Sequence, residues 1–444
     1  MADETIDFST LNGFYKDRYG KLEDRIYDFA ILQRSNQATF VQKTKEDLGN
    51  YYKVAVVTRR PQGFTYNTTA TAFDLNDTRS TRTKGAQVQG AIVALEEQVG
   101  VATLVRAQKS EQAFGNAFDT IVNAMDLGLK FRQEVELIYG GYGLGKTPAT
   151  GTTNATADAA LIGSAYEGAE VHAATNVNFT EITIDPQHWA AGIWQASEGA
   201  GLQFYNSSGT LIGTQVFDLI AYDVQNRKIV VAGTSANIIT LAASINTPTV
   251  LDIFFEGQRS NSMVGLKTIS RNTGTLFGLN GAINSVFKGN TRSLGSTAFN
   301  VGKWLIAMSF LQARGLMEDA CMLCSPRTWD NFATDASALR MLDSSYKSSE
   351  VDQGSKTIRL YSNNGVTEIY SHPIVKEGDA FIYPMKDGIQ RVGSTDCRFE
   401  DVEGSGFVYK LDKNFGYGIR NFFDLALFSS RPGHLMNVDQ ITNV

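Results

Sequence analysis

Residues 110–139 read SEQAFGNAFDTIVNAMDLGLKFRQEVELIY, and the rest of the chain falls into place around them. Phe114, Phe118, Ile121, Val122, Met125 and Leu129 step by three and four, the spacing that lines one face of an α-helix. Ser110 stands where an N-cap belongs, just before Glu111. A helix of that length makes a rod of roughly 40–45 Å. Its charge is acidic, with Glu111, Asp119, Asp126, Glu134 and Glu136 against Lys130 and Arg132.

The segment ahead of it has the opposite sign. Over 51–110, Lys53, Arg59, Arg60, Arg79, Arg82, Lys84, Arg106 and Lys109 outnumber Asp74, Asp77, Glu96 and Glu97. YYKVAVVT at 51–58 reads as a strand stopped by Arg59-Arg60-Pro61, and VGVATLV at 99–105 as a second strand. Between them, GFTYNTTATAFDLNDTRSTRTKGAQ at 63–87 carries little apolar content. Structureless loops beyond ~12–15 residues are uncommon, so this excursion predicts a projecting hairpin. A basic hairpin beside an acidic helix is unremarkable within one copy, but across copies it makes a complementary pair of surfaces. Residues 1–50 are more polar still. They hold one short amphipathic pattern (Leu22, Ile26, Phe29, Ala30, Gln33) and six aromatics, which reads as a sticky arm without a core.

On the other side of the helix, GGYGLGKT at 140–147 satisfies G-x-x-x-x-G-K-[ST]. A phosphate cradle needs a strand before the glycines and a helix starting at the lysine. Here the strongest helix comes before, and Pro148 follows Thr147. The stretch therefore reads as a Gly-rich helix terminator, with a P-loop NTPase of the packaging-motor kind as the rival. Beyond a Gly/Thr/Ala loop come strand EITID, a helical stretch through Trp189, Ile193 and Trp194, and FDLIAYDVQNRKIVVAG, a β-hairpin turning at Asp223–Lys228. Residues 300–316 form a helix apolar nearly all round, which predicts burial on most sides. From 318 onward short strands alternate with turns.

Composition bounds the function. The chain has 444 residues, 43% hydrophobic and 19% charged, with a net charge of -6, which excludes global disorder and a generally basic nucleic-acid coat. Three cysteines make no disulfide framework, and no apolar run approaches the ~20 residues of a membrane span. Cys321 and Cys324 lie on an apolar strand and read as core residues. His172, His188, His372 and His434 are isolated. No catalytic, metal or cofactor site is expected.

Order is the larger signal: polar arm, basic hairpin, acidic helix, Gly-rich loop, mixed region, late apolar helix, terminal strands. With it go the phrases FRQEVELIYG at 131–140, RNTGTLFGLN at 271–280, CSPRTWDNFATD at 324–335, NGVTEIYSHPIV at 364–375 and FFDLALFSSRPGHL at 422–435. Together these resemble the major capsid proteins of tailed double-stranded DNA bacteriophages, the Hong Kong 97 fold. The resemblance implies an α+β subunit with an N-terminal arm over 1–50 and an extended loop over 51–108. It puts the spine helix and the start of a peripheral domain at 109–179, and an insertion at 180–260. A mainly axial domain would follow at 261–385, and C-terminal strands at 386–444 would complete both domains.

The resemblance further implies a structural role without catalysis: hexamers and pentamers of one chain forming an icosahedral head around the phage genome. Arg59, Arg60, Arg79, Arg82 and Lys84 on the loop of one copy would meet Glu111, Asp119, Glu134 and Glu136 on the helix of its neighbour. Implied partners are further copies of the chain, a separate scaffolding protein, a portal, cement or decoration proteins, and packaged double-stranded DNA held non-specifically. No membrane and no cofactor are implied. The place of work would be the virion, after synthesis in the bacterial cytoplasm. A fibrous or tail-associated phage protein is the other structural alternative.

Overall fold

In the computed structural model the eight residues Tyr52–Arg59 (β1) pair antiparallel with Arg82–Val88 (β2), from Tyr52↔Val88 out to Arg59↔Arg82. The structure describes residues 41–42, 52–68, 72–100, 117–149, 155–158, 178–195, 197–213, 216–246, 250–340, 358–362, 365–386, 388–399, 408–411 and 416–443. The arm expected over 1–50 lies outside them except for 41–42. So do Ser110, Glu111, residues 101–105 and most of the Gly/Thr/Ala stretch after Thr147.

The hairpin's return strand is not the one the apolar pattern selects. Ala91–Gly100 (β3) turns away and pairs with the long strand Gly416–Phe428, from Gly416↔Gly100 to Leu425↔Ala91. The true partner, RTKGAQV, has only Ala86 and Val88 buried, so it carries too little apolar alternation to announce itself.

Gly416–Phe428 is the hub of one sheet, pairing also with Gln390–Phe399 and Val408–Lys410, while Val41–Gln42 adds to the far side of 390–399. Against this sheet lies the helix Ala117–Tyr139 (α1). Its buried stripe runs Ile121, Met125, Leu129, then Phe131, Val135, Ile138 and Tyr139. At ~1.5 Å per residue the described helix is about 35 Å long.

After α1 the chain enters a seven-stranded antiparallel sheet. Its order is 145–146, 251–255, 201–206, 217–223, 228–233, 178–183, 155–158. The sheet begins N-terminal to the stretch 180–260, because Gly145 and Lys146 pair with Ile253 and Asp252 and close its neck. Phe217–Asp223 and Lys228–Gly233 form the hairpin read from the sequence. Its turn is held by Asp223 Oδ1, which accepts from the N–H groups of Gln225 (2.9 Å) and Asn226 (3.1 Å). Helix Ser235–Asn246 covers the sheet with Ile238, Leu241, Ala242 and Ile245.

A third sheet, of six strands, runs 290–297, 436–441, 380–384, 320–324, 365–371, 358–362. One face packs on helices Val301–Ala313 and Pro326–Arg340 through Trp304, Met308, Met322, Phe332, Ile369 and Val438. Phe299 and Phe332 meet edge to face at 5.0 Å. Asn300 caps the first of these helices, its side chain accepting from Lys303 N–H at 3.1 Å. That helix corrects one expectation. Leu305, Ile306 and Phe310 are 48%, 51% and 50% exposed, so among the described residues only one face of an almost wholly apolar helix is covered. No described helix is long and apolar enough to cross a membrane.

Candidate functional site

The hairpin continues past its regular strands. Gln62 and Arg79 exchange two backbone hydrogen bonds of 2.8 Å each. Further out, Asn76 N–H donates to Thr65 Oγ1 at 2.8 Å and Asn76 Nδ2 to Phe64 O at 2.9 Å. Arg59, Arg60, Arg79 and Arg82 are exposed and Lys84 half-buried. Arg59 Nη2 donates to Ser80 O at 3.2 Å, which pins one guanidinium along the arm. The sequence reading passed over the arm's apolar content. Phe64, Tyr66, Phe73 and Leu75 are all exposed near the tip, Tyr66 to 93%. Lone aromatics in a polar excursion were the available signal, since large exposed apolar groups mark contact surfaces.

The acids expected on the helix are placed differently. Asp119 lies within α1, its side chain outside the described residues, as is Glu111. Asp126 pairs with Lys130 one turn on. Glu134 and Glu136 are 4% and 3% exposed, turned into the protein and not toward a neighbour. Glu134 Oε2 sits 3.7 Å from His372 Nε2. His372 Nδ1 accepts the Ile374 N–H at 3.2 Å, and burial pushes this imidazole down to about 4. Glu136 Oε1 accepts from Gln258 Nε2 at 2.8 Å. Burial pushes the Glu136 carboxyl up to about 7, against the pull of Gln258 and Arg132. The surface acidity predicted for this end of the helix is therefore absent, because both carboxylates are enclosed by segments more than a hundred residues away in sequence.

Beside this end of α1 opens a cavity of about 600 Å³. β3 supplies Ile92 and Leu95, both exposed toward solvent. α1 supplies Arg132 and Glu136, and the seven-stranded sheet supplies Phe255. The Arg132 guanidinium lies 3.2 Å over the Phe255 ring, a cation–π contact. Burial lowers it to about 10, though Glu136 opposes the shift. Its Nη1 is enclosed and meets no hydrogen-bond partner among the described residues. At the rim stand two exposed acids, Glu198 and Glu256.

The G-x-x-x-x-G-K-T loop does something other than hold phosphate. Leu144 N–H donates to Ile253 O (2.6 Å) and Thr147 N–H to Leu251 O (3.1 Å), so these amides are spent on the neck of the sheet. Thr147 Oγ1 accepts from Leu251 N–H at 2.9 Å, and Lys146 pairs with Asp252 at 3.2 Å. Behind the loop lies a buried charge cluster. Lys267 Nζ meets Asp379 Oδ2 at 2.6 Å, and Tyr139 OH donates to the same oxygen at 3.3 Å. Lys376 N–H donates to Tyr139 OH at 2.7 Å and Lys376 Nζ to Gly143 O at 2.5 Å. Burial, with Lys267 adding to it, drives Lys376 well below the usual lysine range. Burial pushes Asp379 up, yet Lys267 and Lys376 outweigh it and hold this carboxyl low.

Cys321 and Cys324 are buried in the strand Ala320–Cys324, and burial pushes the Cys321 thiol up to about 12. Among the described residues no group of three or more His, Cys, Asp or Glu could hold a metal ion.

No protein-family model matches this chain, and no curated protein sequence matches it. Solved structures do. The Cyanophage A-1(L) capsid asymmetric unit aligns over 99% of this chain and 100% of its own, at 9% identity and a TM-score of 0.50. The capsid of a native GTA particle aligns over 98% of each chain, at 8% identity and 0.45. The capsid of Myoviridae Phage XM1 aligns over 97% of this chain and 98% of its own, at 8% identity and 0.42. Of these three, the first reaches a score that carries a fold assignment. Sheet, long helix and projecting hairpin together have the capsid fold of the tailed phages.

Proposed function

We propose that this chain is a major capsid protein. Its copies associate into hexamers and pentamers that tile an icosahedral head around double-stranded DNA. The observation that carries the reading is the fold match over the full length of both chains. Fold alone does not fix function, and the surfaces add independent weight. A hairpin that exposes arginines and aromatics has no core of its own, and the outer face of Val301–Ala313 is apolar and open. Both features suit a subunit completed by its neighbours.

In this reading the hairpin of one copy lies over the long helix of the next, and Arg59, Arg60, Arg79, Arg82 and Lys84 meet acids there. Asp119 on the helix and Glu111, outside the described residues, remain candidates, whereas Glu134 and Glu136 are committed inside the subunit. One exposed ion pair contributes only ~0–1 kcal/mol, but repetition around a shell turns weak contacts into strong association. The net charge of -6 suits a container that must not grip a polyanion tightly. A scaffolding protein, a portal and cement proteins are the further partners this role calls for.

The test is charge reversal on the arm. Arg79→Glu with Arg82→Glu should abolish closed particles in electron micrographs while circular dichroism shows a folded subunit. Particles of normal number and size from that variant would overturn the hairpin's role. Rods or isolated trimers from the unaltered chain would favour a fibre protein instead.

A further inference from the structure

We infer that Arg132 and Glu136 form a proton-controlled latch inside the subunit: the guanidinium rests on Phe255 while the Glu136 carboxyl is protonated, and moves onto that carboxylate once it ionises. The device is internal to one chain, so it neither rests on the shell reading nor falls with it.

Its two parts stand one turn apart on α1, and each is left incomplete. Glu136 is 3% exposed, and its Oε1 accepts from Gln258 Nε2 at 2.8 Å. The other oxygen, Oε2, is enclosed and meets no hydrogen-bond partner among the described residues. Arg132 Nη1 is enclosed in the same way, while the guanidinium lays its face 3.2 Å over the Phe255 ring. Side chains at i and i+4 are neighbours on a helix surface. A buried donor and a buried acceptor, each short of one bond, thus lie within reach of each other without having paired. Neither needs a route from outside, because each can complete the other. The cavity of about 600 Å³ that both line gives the guanidinium room to leave the ring.

The surroundings make Arg132 the natural partner of an ionised Glu136. It is the one cation among the residues lining the cavity, where the other charged groups are the exposed acids Glu198 and Glu256. Gln258 and the Met263 backbone N–H face Glu136 as neutral donors, and Glu134 on the same helix faces His372 instead. A hydrogen bond between ionised partners is roughly twice as strong as a neutral one, so ionisation is what favours closing. Burial holds the Glu136 carboxyl up at about 7, which puts the loss of its proton near neutrality. Arg132, lowered by burial only to about 10, stays charged throughout.

Closing the latch has a structural consequence. Phe255 ends the strand Leu251–Phe255 of the seven-stranded sheet, and Gln258 opens the short helix Gln258–Asn261 just after it. With Arg132 on Phe255 and Glu136 on Gln258, the end of α1 is tied to this segment twice. Ionisation withdraws the first tie and keeps the second, which loosens the sheet from the long helix without unfolding either.

Structures of the unaltered subunit at about pH 5.5 and about pH 8.5 test this, since the carboxyl is then about 97% protonated and about 97% ionised. Arg132 should lie over Phe255 in the first and donate to Glu136 in the second. Arg132 over Phe255 at both values overturns the latch. Glu136→Gln, which cannot ionise, should keep the guanidinium on the ring at both. Hydrogen exchange gives a second readout, after correction for the intrinsic pH dependence of amide exchange. Amides of 251–262 should exchange severalfold faster at the higher pH in the unaltered chain and equally at both in Glu136→Gln. The same acceleration in Glu136→Gln would overturn the assignment, because the proton would then belong to another group.

Discussion

Two helices of this protein invert the usual relation between polarity and burial. Ala117–Tyr139 carries Gln133, Glu134 and Glu136 in its last turns, and all three are buried. Val301–Ala313 is almost wholly apolar, yet Leu305, Ile306 and Phe310 are about half exposed. In the first, charge is tolerated inside because partners arrive from distant segments: Gln258 for Glu136, His372 near Glu134, and Asp379 and Lys376 around Tyr139. In the second, apolar surface is left outside because no described residue of the subunit covers it. The contrast teaches that a helix's composition does not decide its burial; what distant segments bring to each face does.

The contrast can be broken first at the buried end. Asp379→Ala would strand the Lys267 ammonium beside Tyr139, and removing one member of a buried pair costs about 3–5 kcal/mol. Urea unfolding of the subunit should shift by that order. A change below about 1 kcal/mol would mean that the helix end does not depend on the cluster.

A smaller effect sharpens the same comparison through pH. The folded Glu136 carboxyl titrates near 7, above its ordinary 4.5. A group raised in the folded state gives stability that is present below the unfolded value and lost as pH rises through the folded one. Glu136→Gln removes that loss and keeps an acceptor for Gln258. Its advantage over the unaltered chain should therefore grow from pH 4.5 to 7, by roughly 3 kcal/mol, and level off above. A pH-independent difference would show that the carboxyl is not titrating in this window.

The smallest effect on the subunit belongs to the exposed helix face. Ile306→Ser with Phe310→Ser should leave unfolding within about 0.5 kcal/mol, as for surface positions generally, while particle yield in electron micrographs falls. Unfolding of the subunit itself would show that this face is covered from within.

Some of this was legible in the chain. The periodic stripe Ile121, Met125, Leu129 declares a helix because spacing alone decides which residues share a face. Asp223–Lys228 declares a hairpin because Asp223 can close the turn with its own carboxylate. Cys321 and Cys324 on an apolar strand declare a core. Other parts were not legible. Arg82–Val88 buries too few residues to look like a strand, and its pairing with β1 comes from backbone hydrogen bonds, which side-chain patterns report poorly. The acidic cavity rim was hidden as well, since Glu198 and Glu256 come to α1 from elsewhere in the chain.

Sequence alone settled the long helix, the late apolar helix, the Asp223–Lys228 hairpin, and that an acidic chain carries a basic arm. It missed the helices Ser235–Asn246 and Pro326–Arg340, the second in a stretch read as strands and turns. The settled properties are local, set by the spacing and charge of neighbouring residues. Only the tertiary structure decided which charges remain outside. Burial of a carboxylate or exposure of a leucine depends on what distant segments bring to it, and in this chain those segments enclose Glu136 and leave Phe310 uncovered.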